Sequence, residues 1–79
     1  MPDQIVARFR KSEVEEVVIL VRNFEGTDFV DLRTFFGARG QDTRPTKKGV
    51  TIPIAMYGEF RRSIDLLDEV MKVRGWYTK

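Results

Sequence analysis

Apolar and polar residues alternate in short runs through the first fifty residues, and the pattern then changes to a helical spacing. Val17-Val18-Ile19-Leu20-Val21 is a β-rich run that ends in Arg22-Asn23-Phe24, and it predicts a strand over 16–24. A partial alternation in Gln4-Ile5-Val6-Ala7-Arg8-Phe9-Arg10 predicts an earlier strand over 4–10. Glu25-Gly26-Thr27-Asp28 reads as a hairpin turn, with Gly26 free to take positive φ. A third strand follows over 29–36, with Val30 and Leu32 on one side and Asp31, Arg33 and Phe35 on the other. Gly37 to Thr46 reads as a polar loop, Arg44-Pro45-Thr46-Lys47-Lys48-Gly49 as a turn carrying three cations, and Val50-Thr51-Ile52 as a short strand. Pro53 suits the first turn of a helix, where its missing N–H costs nothing.

That helix is predicted over 54–74, with Tyr57, Phe60, Ile64, Leu67 and Met71 at spacings of three and four. Leu66, Val70 and Val73 form a second stripe. The chain's own sheet can cover one stripe, so a second chain is expected to cover the other. Tyr57 and Phe60 read as packing residues, and Trp76 and Tyr77, beyond Gly75, as a terminal patch against a partner chain. Strands first and a helix last make an α+β fold in a single domain, 1–79. A domain this small buries only roughly 60–65% of its unfolded surface, so it gains much from association.

Composition narrows the chemistry. The 79 residues include neither Cys nor His, which removes disulfides, thiolate metal sites, the usual general base and the commonest metal ligand. No nucleophile–base pair or metal cluster is visible, so no enzyme, cofactor or small-molecule substrate is expected. No apolar run is long enough to span a bilayer, and the first residues do not resemble a signal peptide, so an intracellular location without membrane partners is expected. The formal net charge is only +2, but Arg39, Arg44, Lys47 and Lys48 gather around the middle loop with Asp42 alone among them. The Arg8, Arg10 and Lys11 cluster reads instead as ordinary solvated surface, as do Asp65, Asp68 and Glu69 on the helix, where Arg61, Arg62 and Lys72 are placed to pair with them.

Two strands end in a cation followed by aromatics, Arg22-Asn23-Phe24 and Arg33-Thr34-Phe35-Phe36, ahead of the basic segment 44–49. Cations beside flat apolar rings suit unpaired nucleic acid, whose phosphates meet the cations while exposed bases stack on the rings. A lone Phe at a strand end is more often core, but its neighbour Arg22 and the turn favour a base platform at Phe24. Of the adjacent Phe35 and Phe36, one is expected in the core and the other exposed.

The ordered segments Val21 to Gly26, Val30 to Phe36 and Arg44 to Ile52, closed by the amphipathic helix, resemble the single-stranded-DNA-binding domain of the transcriptional coactivator positive cofactor 4 family, over residues 17 to about 73. The resemblance implies a curved four-stranded antiparallel sheet followed by one long C-terminal helix, in a homodimer with the helices at its interface. It also implies DNA contacts at Arg22, Phe24, Arg33, Phe36, Arg44 and Lys48, with Lys47 adjacent. The chain departs from the family pattern in having Phe36 where Trp is frequent, and Glu15, Glu25 and Thr27 where Lys is frequent. Pro53 stands in the place of the usual helix cap. Strict alternation sets Arg33 and Phe36 on opposite faces, so bringing both to one strand of DNA requires a bulge or twist beside Gly37. A largely sequence-independent single-stranded DNA-binding homodimer in transcription, replication or repair is the leading reading. An RNA-binding module and a purely structural dimer are the alternatives.

Overall fold

A computed structural model describes residues 3–78. Four antiparallel strands form an open sheet in sequential order: β1 (Gln4–Arg10), β2 (Glu15–Phe24), β3 (Thr27–Phe36) and β4 (Arg44–Pro53). A single 3₁₀ turn, Ile54–Met56, leads into the helix α1 (Tyr57–Val73). This is the α+β architecture expected, an antiparallel sheet and then one C-terminal helix.

The β2–β3 hairpin closes through the two-residue turn Glu25-Gly26, with φ of 53° and 83°. Positive φ at both central positions makes a turn of the I′ type, whose twist matches that of the strands it joins. Asn23 stabilises it: its side-chain oxygen accepts from the Gly26 N–H at 3.3 Å and its amide donates to Asp28 at 2.9 Å. Thr27 and Asp28, expected in the turn, already belong to β3.

The largest difference from expectation is β4. Arg44 to Gly49 is not a turn: the strand begins at Arg44 and runs ten residues. Pro45 is tolerated because β4 is an edge strand, where a missing N–H breaks no inner ladder. The pairing with β3 slips between Arg33↔Gly49 and Phe35↔Pro45, so the extra residues bulge out of β4 around Thr46 to Lys48. The Thr46 hydroxyl ties the bulge down, donating to the Thr34 carbonyl at 2.7 Å and accepting from the Lys48 N–H at 3.2 Å. Pro53 ends β4 and is also the cap residue of the 3₁₀ turn, and no side chain caps that turn or α1.

The register divides the sheet into two faces. Glu16, Val18, Leu20, Arg22 and Phe24 of β2 share one face with Phe29, Asp31, Arg33 and Phe35 of β3 and with Arg8 and Arg10 of β1. Val17, Ile19, Val21, Val30, Leu32, Val50 and Ile52 make the other face apolar. Val18 and Leu20 are the buried apolar side chains among the described residues, and they lie on the charged face beneath its arginines. Nothing on the apolar face is fully buried, and neither is any residue of α1.

The chain is consequently spread out. Its radius of gyration is 14.6 Å, against about 12 Å for a compact chain of this length. Its accessible surface is 6523 Å², against about 4,900 Å² for a compact monomer of this mass. Tyr57, expected to pack, is about half exposed, as are Leu66, Leu67 and Val70. Arg61–Asp65 and Lys72–Asp68 form the anticipated pairs across one helical turn, at 2.7 and 3.0 Å; Arg62 forms none among the described residues. Past α1, the Gly75 N–H bonds the Lys72 carbonyl and the Trp76 N–H the Met71 carbonyl, a Schellman closure. The closure lays Trp76 beside Ile64, Leu67 and Met71 of its own helix, with the Arg74 guanidinium 5.0 Å from the ring centroid.

Candidate nucleic-acid interface

On the charged face, two arginines converge on one acid. Asp31 is fully buried. It accepts from Arg33 Nε at 2.8 Å and Nη2 at 2.9 Å, and from Arg22 Nη1 at 3.1 Å. Burial alone would raise the Asp31 pKa, but the hydrogen bonds from Arg33 and Arg22 and the charges of both outweigh it and hold the carboxyl below its ordinary value. The same contacts raise the Arg33 pKa. Gly49, paired with Arg33, lets this guanidinium cross β4: a Cβ there would lie 2.5 Å from the Leu32 carbonyl oxygen and 3.1 Å from Arg33 Cζ. Arg33 Nη1 thereby reaches the Thr46 carbonyl at 2.9 Å, on the bulge.

Arg33 is thus a largely structural cation, its side chain 18% exposed, while Arg22 presents a more open edge and also bonds Asp3 at 3.1 Å. Phe24 stands next to Arg22 at the hairpin end of this face and is 66% exposed. This ring is left in water beside Arg22 and takes no part in the small core of Val18 and Leu20. It has the geometry of a stacking platform.

The remaining candidates lie elsewhere. Phe36 is the exposed member of its pair at 57%, and Phe35 the half-buried one. No bulge occurs within β3, whose pairing with β2 is regular from Glu15↔Phe36 to Phe24↔Thr27. Phe36 and its partner Arg44 therefore occupy the face opposite Arg22, Phe24 and Arg33. Lys47 and Lys48 ride the bulge; Lys48 Nζ lies 3.7 Å from Glu15, while Lys47 and Arg44 have no ion pair among the described residues. The irregularity that strict alternation demanded exists, but in β4. It moves the lysines and leaves Phe36 where alternation puts it.

A second ionic cluster was not anticipated from the sequence. Arg8 chelates the buried Glu16, and Thr43 donates to the same carboxylate at 3.4 Å. The Arg8 hydrogen bond holds the Glu16 carboxyl below its ordinary pKa against the opposing effect of desolvation. No partner for Glu16 is visible in the sequence, and only the pairing Arg8↔Val18 and Arg10↔Glu16 brings the two arginines alongside it.

A family model described as Transcriptional Coactivator p15 (PC4) matches residues 11–63, from the β1–β2 connection to the first turns of α1. The chain belongs to the PC4 family. A PC4 homolog from Burkholderia pseudomallei K96243 has the same fold in its tetragonal crystal form, with a TM-score of 0.74, 24% identity, and coverage of 85% of this chain and 98% of that one. Its orthorhombic form gives a TM-score of 0.74 and 25% identity over 82% of this chain and 88% of that one. No curated protein matches the chain. Gln4–Arg10 and most of α1 lie outside the segment matched by the PC4 model, whereas every candidate contact residue named above lies inside it.

Proposed function

We propose that this PC4-family chain is a non-enzymatic single-stranded DNA-binding protein that works as a homodimer in transcription, replication or repair. The observation that carries the reading is the exposed Phe24 beside Arg22, on the face where Arg22, Arg33, Arg8 and Arg10 line up above a small buried core. Arg22 offers charge-assisted donors to phosphate, Arg33 holds the buried Asp31 carboxylate that anchors Arg22, and Phe24 offers a π-face to any base. Lys47 and Lys48 continue the contacts along the bulged β4 edge, and Phe36 and Arg44, on the opposite face, take up the strand where it rounds the loop end of the sheet. Base pairing denies duplex bases to the rings, so single strands are preferred. No side-chain set is arranged for base-edge readout, so binding tolerates sequence changes.

Homodimerisation is supported by area. The surface in excess of a compact monomer is about 1,600 Å² per chain, and twice that, about 3,200 Å², falls within the roughly 2,000–5,000 Å² typical of obligate homodimers. Its source is the uncovered helix and the apolar sheet face. Sedimentation velocity with labelled oligo-dT and a labelled duplex tests both parts together. The free protein is expected at twice the protomer mass, and oligo-dT is expected to co-sediment with it at salt where duplex does not. A monomer would sink the dimer, and equal co-sedimentation of duplex would reduce the interface to a plain basic patch.

A further inference from the structure

At the end of the sheet away from Phe24, two connections meet: residues 11–14 between β1 and β2, and residues 37–43 between β3 and β4. Arg10 joins them. Its guanidinium donates to the Gly37 carbonyl from Nη2 at 2.7 Å and Nη1 at 3.2 Å, to Glu13 O at 2.9 Å and to Ser12 O at 3.2 Å. All four bonds end on neutral carbonyls, those of Gly37, Glu13 and Ser12, so they fix the side chain without cancelling its charge.

The loop it holds is well built. The Gly37 N–H bonds the Val14 carbonyl at 2.8 Å, and at φ 154° a Cβ on Gly37 would sit 2.8 Å from the Asp42 carbonyl oxygen, so the loop folds tightly onto its own base. Gln41 N–H closes on the Ala38 carbonyl at 3.1 Å with Gly40 at φ 81°, which makes Ala38–Gln41 a turn with Arg39 at its projecting second position. Arg39 is exposed, and neither it, Lys11 nor Arg10 has a carboxylate partner among the described residues.

An open groove of about 550 Å³ runs between the two connections, lined by Arg10, Lys11, Ser12, Glu13, Ala38 and Arg39. Three cations face one acid there. A second groove of about 500 Å³ continues from Arg39 onto the charged face past Arg8 and Arg10, where Glu16 is already neutralised by Arg8. Ala38 also lines a third groove, which leads to Phe36 and Arg44 on the other face and carries Asp42. Along β2, the distance from the level of Arg22 to that of Arg10 is six residues, about 20 Å. The loop end is therefore where the charged face bearing Phe24 and the opposite face bearing Phe36 come together.

We propose that the groove between the two connections is a phosphodiester-binding site, in which Arg39 and Lys11 hold the backbone of the strand as it leaves the charged face, with Arg10 as the fixed charge behind them. This rests on the single-strand reading above and extends it by a site built partly from β1, outside the segment that the PC4 model matches. The cluster at Arg8 to Lys11, which looked like solvated surface in the sequence, becomes part of a contact only because the fold brings Arg39 against it.

The test is titration of the full chain with labelled oligo-dT of about 20 nucleotides across a salt series, comparing wild type with Arg39→Ala, Arg39→Glu and Lys11→Ala. Arg62→Ala, on the exposed helix, is the control. Arg39→Ala and Lys11→Ala are each expected to lower the salt slope by about 0.7 and to weaken binding about fivefold at low salt, a charge-assisted contact's share. Arg39→Glu is expected to weaken it further, and Arg62→Ala to change neither quantity. Wild-type affinity and slope in the Arg39 and Lys11 variants would overturn the site while leaving the single-strand reading intact. Equal losses in Arg62→Ala would also overturn it, since only net charge would then matter. Failure of the wild-type protein itself to bind oligo-dT would remove the single-strand reading, and this extension with it.

Discussion

Replacing Asp31 with Ala is expected to cost about 3 kcal/mol of stability, the lower end of the range for deleting one member of a buried ionic cluster. Asp31 is the buried acid shared by Arg22 and Arg33. Without it the largely covered Arg33 guanidinium keeps its charge and loses two of its three hydrogen bonds. Such a loss is large for a domain whose total stability is of order 5–15 kcal/mol. The pH dependence has a definite sign. The folded-state pKa values of Asp31 and Glu16 are lowered, so the stability they contribute is fully present above the ordinary carboxylate range. It is lost as pH falls through that range and through the depressed folded values below it. Urea titrations at fixed protein concentration, from neutral to acid pH, read both effects. Asp31→Ala should be markedly less stable at neutral pH and should flatten the acid limb of the wild-type profile. A variant within about 0.5 kcal/mol of wild type would mean that the cluster holds nothing in place.

Phe24→Ala should weaken oligo-dT binding by roughly 1–3 kcal/mol with little change in the salt slope, because a stacking ring contributes through contact and not through counterion release. Arg44→Ala should instead lower the slope by about 0.7, as expected for one phosphate contact on a single strand. The ring is two-thirds exposed, so its removal leaves folding nearly untouched, and a loss of affinity is separable from a loss of structure. Fluorescence anisotropy across a salt series, with urea denaturation of each variant, separates these cases. Undiminished binding by Phe24→Ala would remove the base platform, and unfolding would return Phe24 to a core role.

The β2–β3 hairpin was legible because it is local: a β-rich run, a glycine-bearing turn and a second run with clean alternation determine their own register. The doubled stripe on the helix was legible for the same reason, but the expectation that the chain's own sheet covers one stripe fails: no residue of α1 is buried, and both stripes stand open. What misled was β4. Pro45, Lys47-Lys48 and Gly49 carry the composition of a turn, yet each has a reason to occur in an irregular edge strand. Pro45 sits on an edge, the lysines ride the bulge, and Gly49 makes room for Arg33. Those reasons are tertiary, and no local pattern announces them. The same holds for the site. Arg22, Phe24 and Arg33 could be grouped from their place on two paired strands, but Asp31 as their shared anchor, Glu16 with Arg8, and Arg10 beneath the 37–43 loop depend on inter-strand register.

The central claim is that single-stranded DNA lies on the face that carries Phe24, Arg22 and Arg33. Its most direct test is an NMR titration of the isotopically labelled protein with oligo-dT, following backbone amides together with arginine Nε–H resonances. The expected result is perturbation of Arg22, Phe24 and Arg33, extending toward Arg44, Lys47 and Lys48 on β4, with Ile19, Leu32 and the middle of α1 unmoved. Perturbations confined to α1 and the apolar face, or none at those three residues at saturating oligo-dT, would contradict it.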